Sequence, residues 1–398
     1  MTSPIYDVAI AGGGPAGCSA AIRLAQGGAR VVLCEARTYP HDKVCGEFLS
    51  PECSTLLARL GLKSELATLG AVPIGTASLA APDGVTWETH FPAPAWGLSR
   101  RALDAALAER ARAAGVEVRS GTSVVNVAGN LGEAFLLSLR YGGKDDCLRS
   151  RAVIGAHGKR SSLDRALRRQ FLIRREPYVA LKAHFRGPRL PGRIELNVFP
   201  GGYCGLSEIE NGTANLGLLV RESVFQAAGG AGPAAIDNFV TWLRRQNPRL
   251  DAWLGQASRL DERWLSIAQI PFSPKEAVVG DILLAGDAAG VIAPLAGDGI
   301  AMALRSGALA ADLVLRYLDG KLSAAELRKN YAERWAHEFG PRLRLGRALQ
   351  PLLMQRHAAS VGLRLLKYVP SIGRALVYGT RDLGLLEKSD IALAENNL

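Results

Sequence analysis

The chain has 398 residues, of which 48% are hydrophobic and 21% charged, and its formal net charge is +11. That balance predicts a soluble globular protein with a sizeable core, in two domains or as one α/β unit carrying an insertion. No apolar run reaches the roughly 18–20 residues that span a bilayer, and no basic-then-apolar leader opens the chain, so the expected location is cytoplasmic.

In chain order, "IYDVAIAGGGPAGCSAAIRLAQGGARVVLCEAR" (5–37) predicts strand, glycine-rich turn, helix and strand. Val8–Ala11 is a short apolar run bounded by glycine, as a buried parallel strand should be. A helix is expected over Ala16–Gln26, stopped by Gly27–Gly28, with the next strand at Val31–Cys34. "RALDAALAERARAAGVEVR" (101–119) predicts an amphipathic helix running into a strand, and "AVIGA" (152–156) another buried strand, then a turn and a basic helix. Between about 171 and 275 the texture changes. Alternating stretches such as "RIELNVFP" and "TANLGLLV" predict antiparallel strands with one packed face. "DILLAGDAAG" (281–290) restores the buried-strand-then-glycine pattern, and a long helix is expected from Gly299 to Leu318. Beyond 323 the pattern is helical, with breaks expected at Pro341, Pro351 and Pro370.

Gly12, Gly14 and Gly17 form G-x-G-x-x-G between strand and helix, and Glu35 ends the second strand eighteen residues later. Gly12 permits the tight turn, Gly14 lets the backbone approach a pyrophosphate, and Gly17 lets helix pack on strand. The free N–H groups of that helix, behind Pro15 and Ala16, face the phosphates. Glu35, followed by Ala36, is placed to accept hydrogen bonds from a ribose diol. "GGAGPAA" (229–235) has a similar look but no preceding strand, and is read as a loop. The turn at the chain's start therefore predicts dinucleotide binding.

"LLAGDAAGVIAPLAGDGIAMAL" (283–304) then places Gly286–Asp287 after a buried strand, with Gly297, Gly299 and Ile300 opening a helix. This resembles the second FAD fingerprint of the flavoprotein superfamily that includes p-hydroxybenzoate hydroxylase and geranylgeranyl reductase. The resemblance implies that Asp287 bonds the ribityl chain. It also directs the positive helix end at the flavin pyrimidine, and Arg100, from R-x-x-L-D at 100–104, at FAD. Where that superfamily usually shows GADGxxSxVR, this chain reads "GAHGKRSSLDR". His157 thus replaces an acid, either as a substitute hydrogen-bonder or as a surface loop residue, with Gly158, Ser161 and Arg165 in comparable places.

"HDKVCGEFLSP" (41–51) poses a question about Cys45: packing, metal binding, or facing the cofactor. The six cysteines (Cys18, Cys34, Cys45, Cys53, Cys147, Cys204) form no C-x-x-C pair and have no histidines at zinc spacing, so no metal is expected and most read as small core residues. "KVCGEFLSP" looks like the K-x-C-G-(D/E)-x-x-(S/T)-P element of the geranylgeranyl reductase branch. That resemblance implies that Cys45 and Gly46 approach the flavin. "FPGGYCGL" (199–206) is similar to the branch's substrate-sheet motif without its tryptophan, and implies that Phe199 and Tyr203 wall the substrate cavity.

The expected fold class is α/β. A Rossmann-like FAD-binding domain (1–70, 96–170 and 276–330) would be interleaved with an antiparallel-sheet substrate domain (71–95 and 171–275), followed by a helical C-terminal region (331–398). The resemblance implies an FAD-dependent oxidoreductase using NAD(P)H, acting on a lipophilic isoprenoid or polyene-like substrate. Hydride from reduced flavin would reduce a C=C bond, with Cys45 as the candidate acid or substrate-positioning group. The alternative is a monooxygenase hydroxylating or epoxidising a hydrophobic or aromatic metabolite; halogenation is a weaker variant, since W-x-W-x-I-P is missing. A non-enzymatic, FAD-stabilised membrane or carrier-binding protein is a third class. Eight Lys/Arg and no Asp/Glu lie between Arg342 and Arg381. With no recognition motif for nucleic acid, this stretch is either a solvated basic face or a contact with an anionic membrane or an acidic carrier.

Overall fold

The computed structural model describes residues 5–379, 381 and 383–385; the expected helical tail beyond 385 lies outside the described residues. An eight-stranded sheet runs in the order Val278–Val279, Ile282–Leu284, Lys144–Gly155, Ile5–Ala11, Val31–Glu35 and Glu117–Ser120. The hairpin Thr122–Asn130/Ala134–Tyr141 hooks onto Lys144–Gly155. Ile5–Ala11 is parallel to both of its neighbours. The chain leaves it toward one side and returns on the other, so its carboxyl end is a topological switch point, where open α/β sheets bind ligands. Val8, Ala9 and Ile10 are fully buried, in one core shared with the helices Pro15–Gln26 and Gly299–Leu318 and with Val124, Leu137 and Leu139 of the hairpin. Those two helices pack closely: a Cβ at Gly307 would lie 2.1 Å from the Ala16 carbonyl oxygen.

A second, nine-stranded sheet has the order Ser258–Arg259, Tyr178–Arg186, Thr213–Arg221, Gly202–Ile209, Arg193–Phe199, Val72–Ala80, Thr86–Gly97 and Phe48–Leu49. Leu265–Ala268 pairs with Tyr178–Arg186 off this path. Its pairings are antiparallel except Arg193–Phe199 with Val72–Ala80. Phe48–Leu49, from the stretch expected in the first domain, thus adds a short strand to this sheet. The helices Glu222–Gly229, Ala235–Arg244 and Pro248–Leu254 cover its outer face, and "GGAGPAA" forms the turn between the first two.

Three local expectations need correction. Ala324–Leu353 is one thirty-residue helix running through Pro341 and Pro351. Its stripe Leu327, Tyr331, Trp335, Phe339 and Leu343 is buried at every fourth residue, and that burial outweighs two missing N–H donors. The helix after strand 144–155 is only the five residues Ser162–Ala166. Phe199 is not a cavity wall. In the hairpin, Val198 stands opposite Tyr203 and Phe199 opposite Gly202, so period-two alternation puts Phe199 and Tyr203 on opposite faces. Phe199 lies fully buried on the helical face, with ring centroids 6.2 Å from both Phe239 and Trp242.

Phe199→Ala is therefore expected to cost about 3–5 kcal/mol of stability, visible as a lowered melting temperature, while FAD stays bound to the protein that remains folded. A fully stable variant with impaired substrate binding would return Phe199 to the cavity.

Candidate active site

The glycine turn at the switch point shows three different demands for a missing side chain. Gly12 has φ +110°, and a Cβ there would fall 2.3 Å from the Ala156 carbonyl oxygen. At Gly17 it would fall 1.8 Å from the Gly12 carbonyl oxygen, so this glycine serves helix–strand contact. Gly14 is different, because its Cβ position is open, with only Arg100 Nη2 at 3.5 Å and Lys43 Nζ at 3.8 Å nearby. An open backbone, a helix N-terminus without a side-chain cap and two cations make a cradle for a pyrophosphate.

Asp104, fully buried, arms that cradle. It accepts two hydrogen bonds from Arg100 (2.8 and 2.7 Å) and lies 3.3 Å from Lys43 Nζ. Burial alone would raise its pKa, but the Arg100 charge and hydrogen bonds, with Lys43, hold it below the usual carboxylate range. Glu35 is also buried; its carboxylate accepts from Gly13 N at 2.8 Å and Arg37 N at 3.1 Å. It braces the turn from beneath while lining the site beside Ala36.

At the other end, Gly286 (φ +60°) and Gly297 (φ +64°) hold left-handed turns around Asp287 and the start of helix Gly299–Leu318. Asp287 pairs with Lys159 at 3.1 Å. Lys275, pushed down to about 8 by burial, donates to the carbonyls of Lys159 (2.7 Å) and Asp287 (2.9 Å). His157 is a half-buried residue whose covered side chain bonds within the protein, its Nε2 standing 3.0 Å from Asp164 Oδ1. Asp298, the residue between the two glycines, is wholly buried and accepts from Ser50 Oγ (3.2 Å) and Arg342 Nη1 (2.9 Å). Burial and the Glu52 carboxylate push its pKa up against the nearby arginines.

Cys45, half-buried, lies between these ends. Its carbonyl accepts from Asn215 Nδ2 at 3.2 Å, and its sulfur faces Glu47 N at 3.4 Å. One cavity of ≈ 1120 Å³ joins all of this. Gly12, Gly14, Pro15, Ala16, Glu35, Ala36, Cys45, Gly46, Arg100, Gly286, Asp287, Gly297, Gly299, Ile300 and Tyr203 line it; Gly17 and Phe199 do not. Tyr203 is buried, donating to Gln350 Oε1 and accepting from Leu295 N, each at 3.2 Å. Lys43 and an apolar arm of Leu79, Trp87, Phe91, Leu353, Leu363 and Leu366 also line the cavity, and neither is among the residues expected there from the sequence. The even spacing of Trp87 and Phe91 on one strand face was the signal available for part of it.

The FAD binding domain family matches residues 5–188. Over 322 residues the chain is 30% identical to a menaquinone reductase of Mycolicibacterium smegmatis, covering 77% of this chain and 76% of that one. Over 346 residues it is 27% identical to digeranylgeranylglycerophospholipid reductase 2 of Methanopyrus kandleri, covering 84% and 83%. A flavin-dependent brominase shares the fold at TM-score 0.78 and 19% identity, over 99% of this chain and 98% of that one. A geranylgeranyl bacteriochlorophyll reductase-like protein of Thermoplasma acidophilum does so at TM-score 0.73 and 19% identity, over 98% and 95%. The cradle at Gly14 fits the pyrophosphate of FAD. Gly14→Val, which fills the open space before Arg100 and Lys43, is expected to abolish FAD retention on purification, read from the flavin-to-protein absorbance ratio; full retention would refute the cradle. The glycine cradle, the matched FAD domain and the curated relatives agree, and the chain belongs to the geranylgeranyl reductase branch of FAD-dependent oxidoreductases.

Proposed function

We propose that this oxidoreductase reduces a C=C bond in a lipophilic, isoprenoid or polyene-like molecule, with NAD(P)H as the source of electrons. The observation that carries this reading is the continuity of the cavity. It passes from the dinucleotide cradle, beside Cys45 and Gly46, into an arm walled by Leu79, Trp87, Phe91, Leu363 and Leu366. An arm of that kind holds a hydrocarbon chain by apolar burial and excludes water from the alkene. FAD, when bound and reduced by NAD(P)H, would supply a hydride for one alkene carbon. The other carbon then takes up one proton, and the Cys45 thiol at the cavity wall is the candidate donor. The names of the two relatives, a menaquinone reductase and a digeranylgeranylglycerophospholipid reductase, support a lipophilic substrate.

The same cavity opens among the C-terminal helices Arg356–Tyr368 and Pro370–Gly379. Leu352, Leu365 and Ile372 line it and are 55, 51 and 40% exposed, with Tyr368 beside them at 84%. Arg356, Arg364 and Lys367 are exposed on the same stretch. No helix among the described residues is long and apolar enough to cross a membrane. An apolar rim set among basic side chains fits peripheral contact with an anionic bilayer, from which a lipid enters the mouth directly.

Two measurements test the reading. Anaerobically reduced protein given a polyprenyl alkene is expected to recover its oxidised flavin absorbance without O₂ and to yield the saturated product. Recovery only on admitting air, with an oxygen atom in the product, would establish the monooxygenase instead. In that assay Cys45→Ser should keep FAD and slow turnover by about tenfold or more, whereas unchanged turnover removes the thiol from the chemistry. Separately, the protein should sediment with anionic liposomes at low salt and less so at high salt; failure to sediment at low salt removes the membrane contact.

A further inference from the structure

The loop that carries Cys45 is gripped by charged groups that neither the cofactor cradle nor the lipid arm accounts for. Glu47, two residues on, is fully buried and holds a left-handed backbone, φ +53°. Its Oε1 accepts from Lys182 Nζ at 2.6 Å and from Arg100 N at 2.8 Å; its Oε2 meets His184 Nε2 at 2.7 Å. Lys182 and His184 alternate on the strand Tyr178–Arg186 and so share one face, and Lys182 is itself fully buried. Behind them, His184 Nδ1 lies 3.6 Å from Asp261 Oδ1, and Lys182 Nζ lies 3.6 Å from Asp42 Oδ1. Asp42, Glu47 and His184 are spaced like metal ligands, but the Lys182 ammonium already supplies a cation to both carboxylates.

We propose that Glu47 is the positioning residue for Cys45, clamped from the second sheet by Lys182 and His184, and that protonation of His184 tightens the clamp. Three observations converge on it. The Glu47 N–H donates to the Cys45 sulfur beside the Arg100 guanidinium, and Glu47 also accepts from Arg100 N, so fixing Glu47 fixes a direct contact of the thiol and the backbone of its neighbour. The loop is tied to the same sheet, since Asn215 Nδ2 donates to the Cys45 carbonyl at 3.2 Å and Gly217 lies alongside the Cys45–Gly46 backbone, so Glu47 and Cys45 are held against one surface. Finally, a buried ion pair is a weak way to gain stability but a strong way to select one geometry, since each partner is costly to leave unpaired.

The charge balance makes the clamp sensitive to pH. Three carboxylates (Asp42, Glu47, Asp261) face one buried permanent cation, Lys182, and one conditional cation, His184, while Arg101 pairs with Asp42 at 3.7 Å from the outer side. Burial would lower the His184 pKa, and Lys182 opposes its charge. The Glu47 hydrogen bond and charge, helped by Asp261, win and raise it above the ordinary histidine value. A raised histidine gives its full contribution below the ordinary pKa and loses it as pH rises through the folded one. The grip is therefore complete in mild acid and loses one arm on the alkaline side.

The test reads the position of the thiol, so it stands whichever reaction the cavity serves. Alkylation of Cys45 by iodoacetamide is followed by peptide mass spectrometry on FAD-loaded protein in a Cys147→Ser background. Cys147 is exposed, while Cys18, Cys34, Cys53 and Cys204 are buried. Each variant's rate is followed across pH and compared with this parent, so that a change in thiolate fraction is read from the profile and separated from a change in access. At about pH 5.5, below the ordinary histidine pKa, Glu47→Gln and His184→Gln are expected to react roughly tenfold faster than the parent. The His184→Gln gap should close toward about pH 8.5, where the parent has lost the same proton. Equal rates at every pH, or a gap that does not change with pH, would overturn the proposal. His184 is partly exposed, so His184→Gln alone carries the test if Glu47→Gln does not fold with FAD.

Discussion

At Gly217 the second sheet meets the Cys45–Gly46 backbone: a Cβ there would sit in van der Waals contact with the Cys45 carbonyl oxygen at 3.4 Å and with Gly46 Cα at 3.6 Å, so a side chain longer than alanine's would press on the loop. That contact is the constraint from which the active site follows. It brings a loop that leaves the cofactor sheet after Val31–Glu35 down onto a strand from the other half of the molecule. One cavity is therefore lined by the glycine cradle, by Cys45 and Gly46, and by the apolar side chains around both sheets. Asn215, two residues before Gly217, secures the Cys45 carbonyl, and Phe48–Leu49 continues the loop into the second sheet. The two sheets are thus joined at the point where cofactor and substrate would meet, which is where a reaction between them needs rigidity most.

Buried charge is concentrated around this seam, and its placement is selective. Arg100, Asp104 and Lys43 form one group at the phosphate end, with Lys43 reaching toward both Asp104 and Glu35. Asp298, Ser50 and Arg342 form another beside the turn that opens helix Gly299–Leu318. Glu47, Lys182 and His184 form a third, beneath Cys45. Ionised groups removed from water are costly unless paired and hydrogen-bonded. These clusters pair residues from distant segments, and each fixes an element bordering the cavity. Arg342 ties the long C-terminal helix to the turn that opens helix Gly299–Leu318, so the helices around the mouth of the cavity are anchored to its glycine-rich end.

The parts of this arrangement legible in the sequence were those where backbone chemistry demands a particular residue. Gly12, Gly14 and Gly17 announce a strand-to-helix turn that approaches phosphate, and the G-D-G at 297–299 announces a helix end. Cys45 and Tyr203 were legible only through resemblance to a known family. Phe199 was misplaced because face assignment depends on pairing register, and a one-residue difference in parity reverses it. Pro341 and Pro351 pointed to breaks that a continuously buried helical stripe overrides. The clamp on Glu47 joins residues 135 apart in sequence, and no local pattern announces that a lysine on a mostly apolar strand will meet a glutamate from a glycine-flanked loop.

The most direct test of the account is a structure of the FAD-loaded protein with a polyprenyl alcohol bound. The account predicts the hydrocarbon chain lying along Trp87, Phe91 and Leu363, with an alkene carbon in van der Waals contact, at about 3.5–4 Å, with the flavin ring and the Cys45 sulfur at the same pocket wall. A chain bound outside that arm, or an alkene separated from the flavin by Cys45 and its loop, would contradict it.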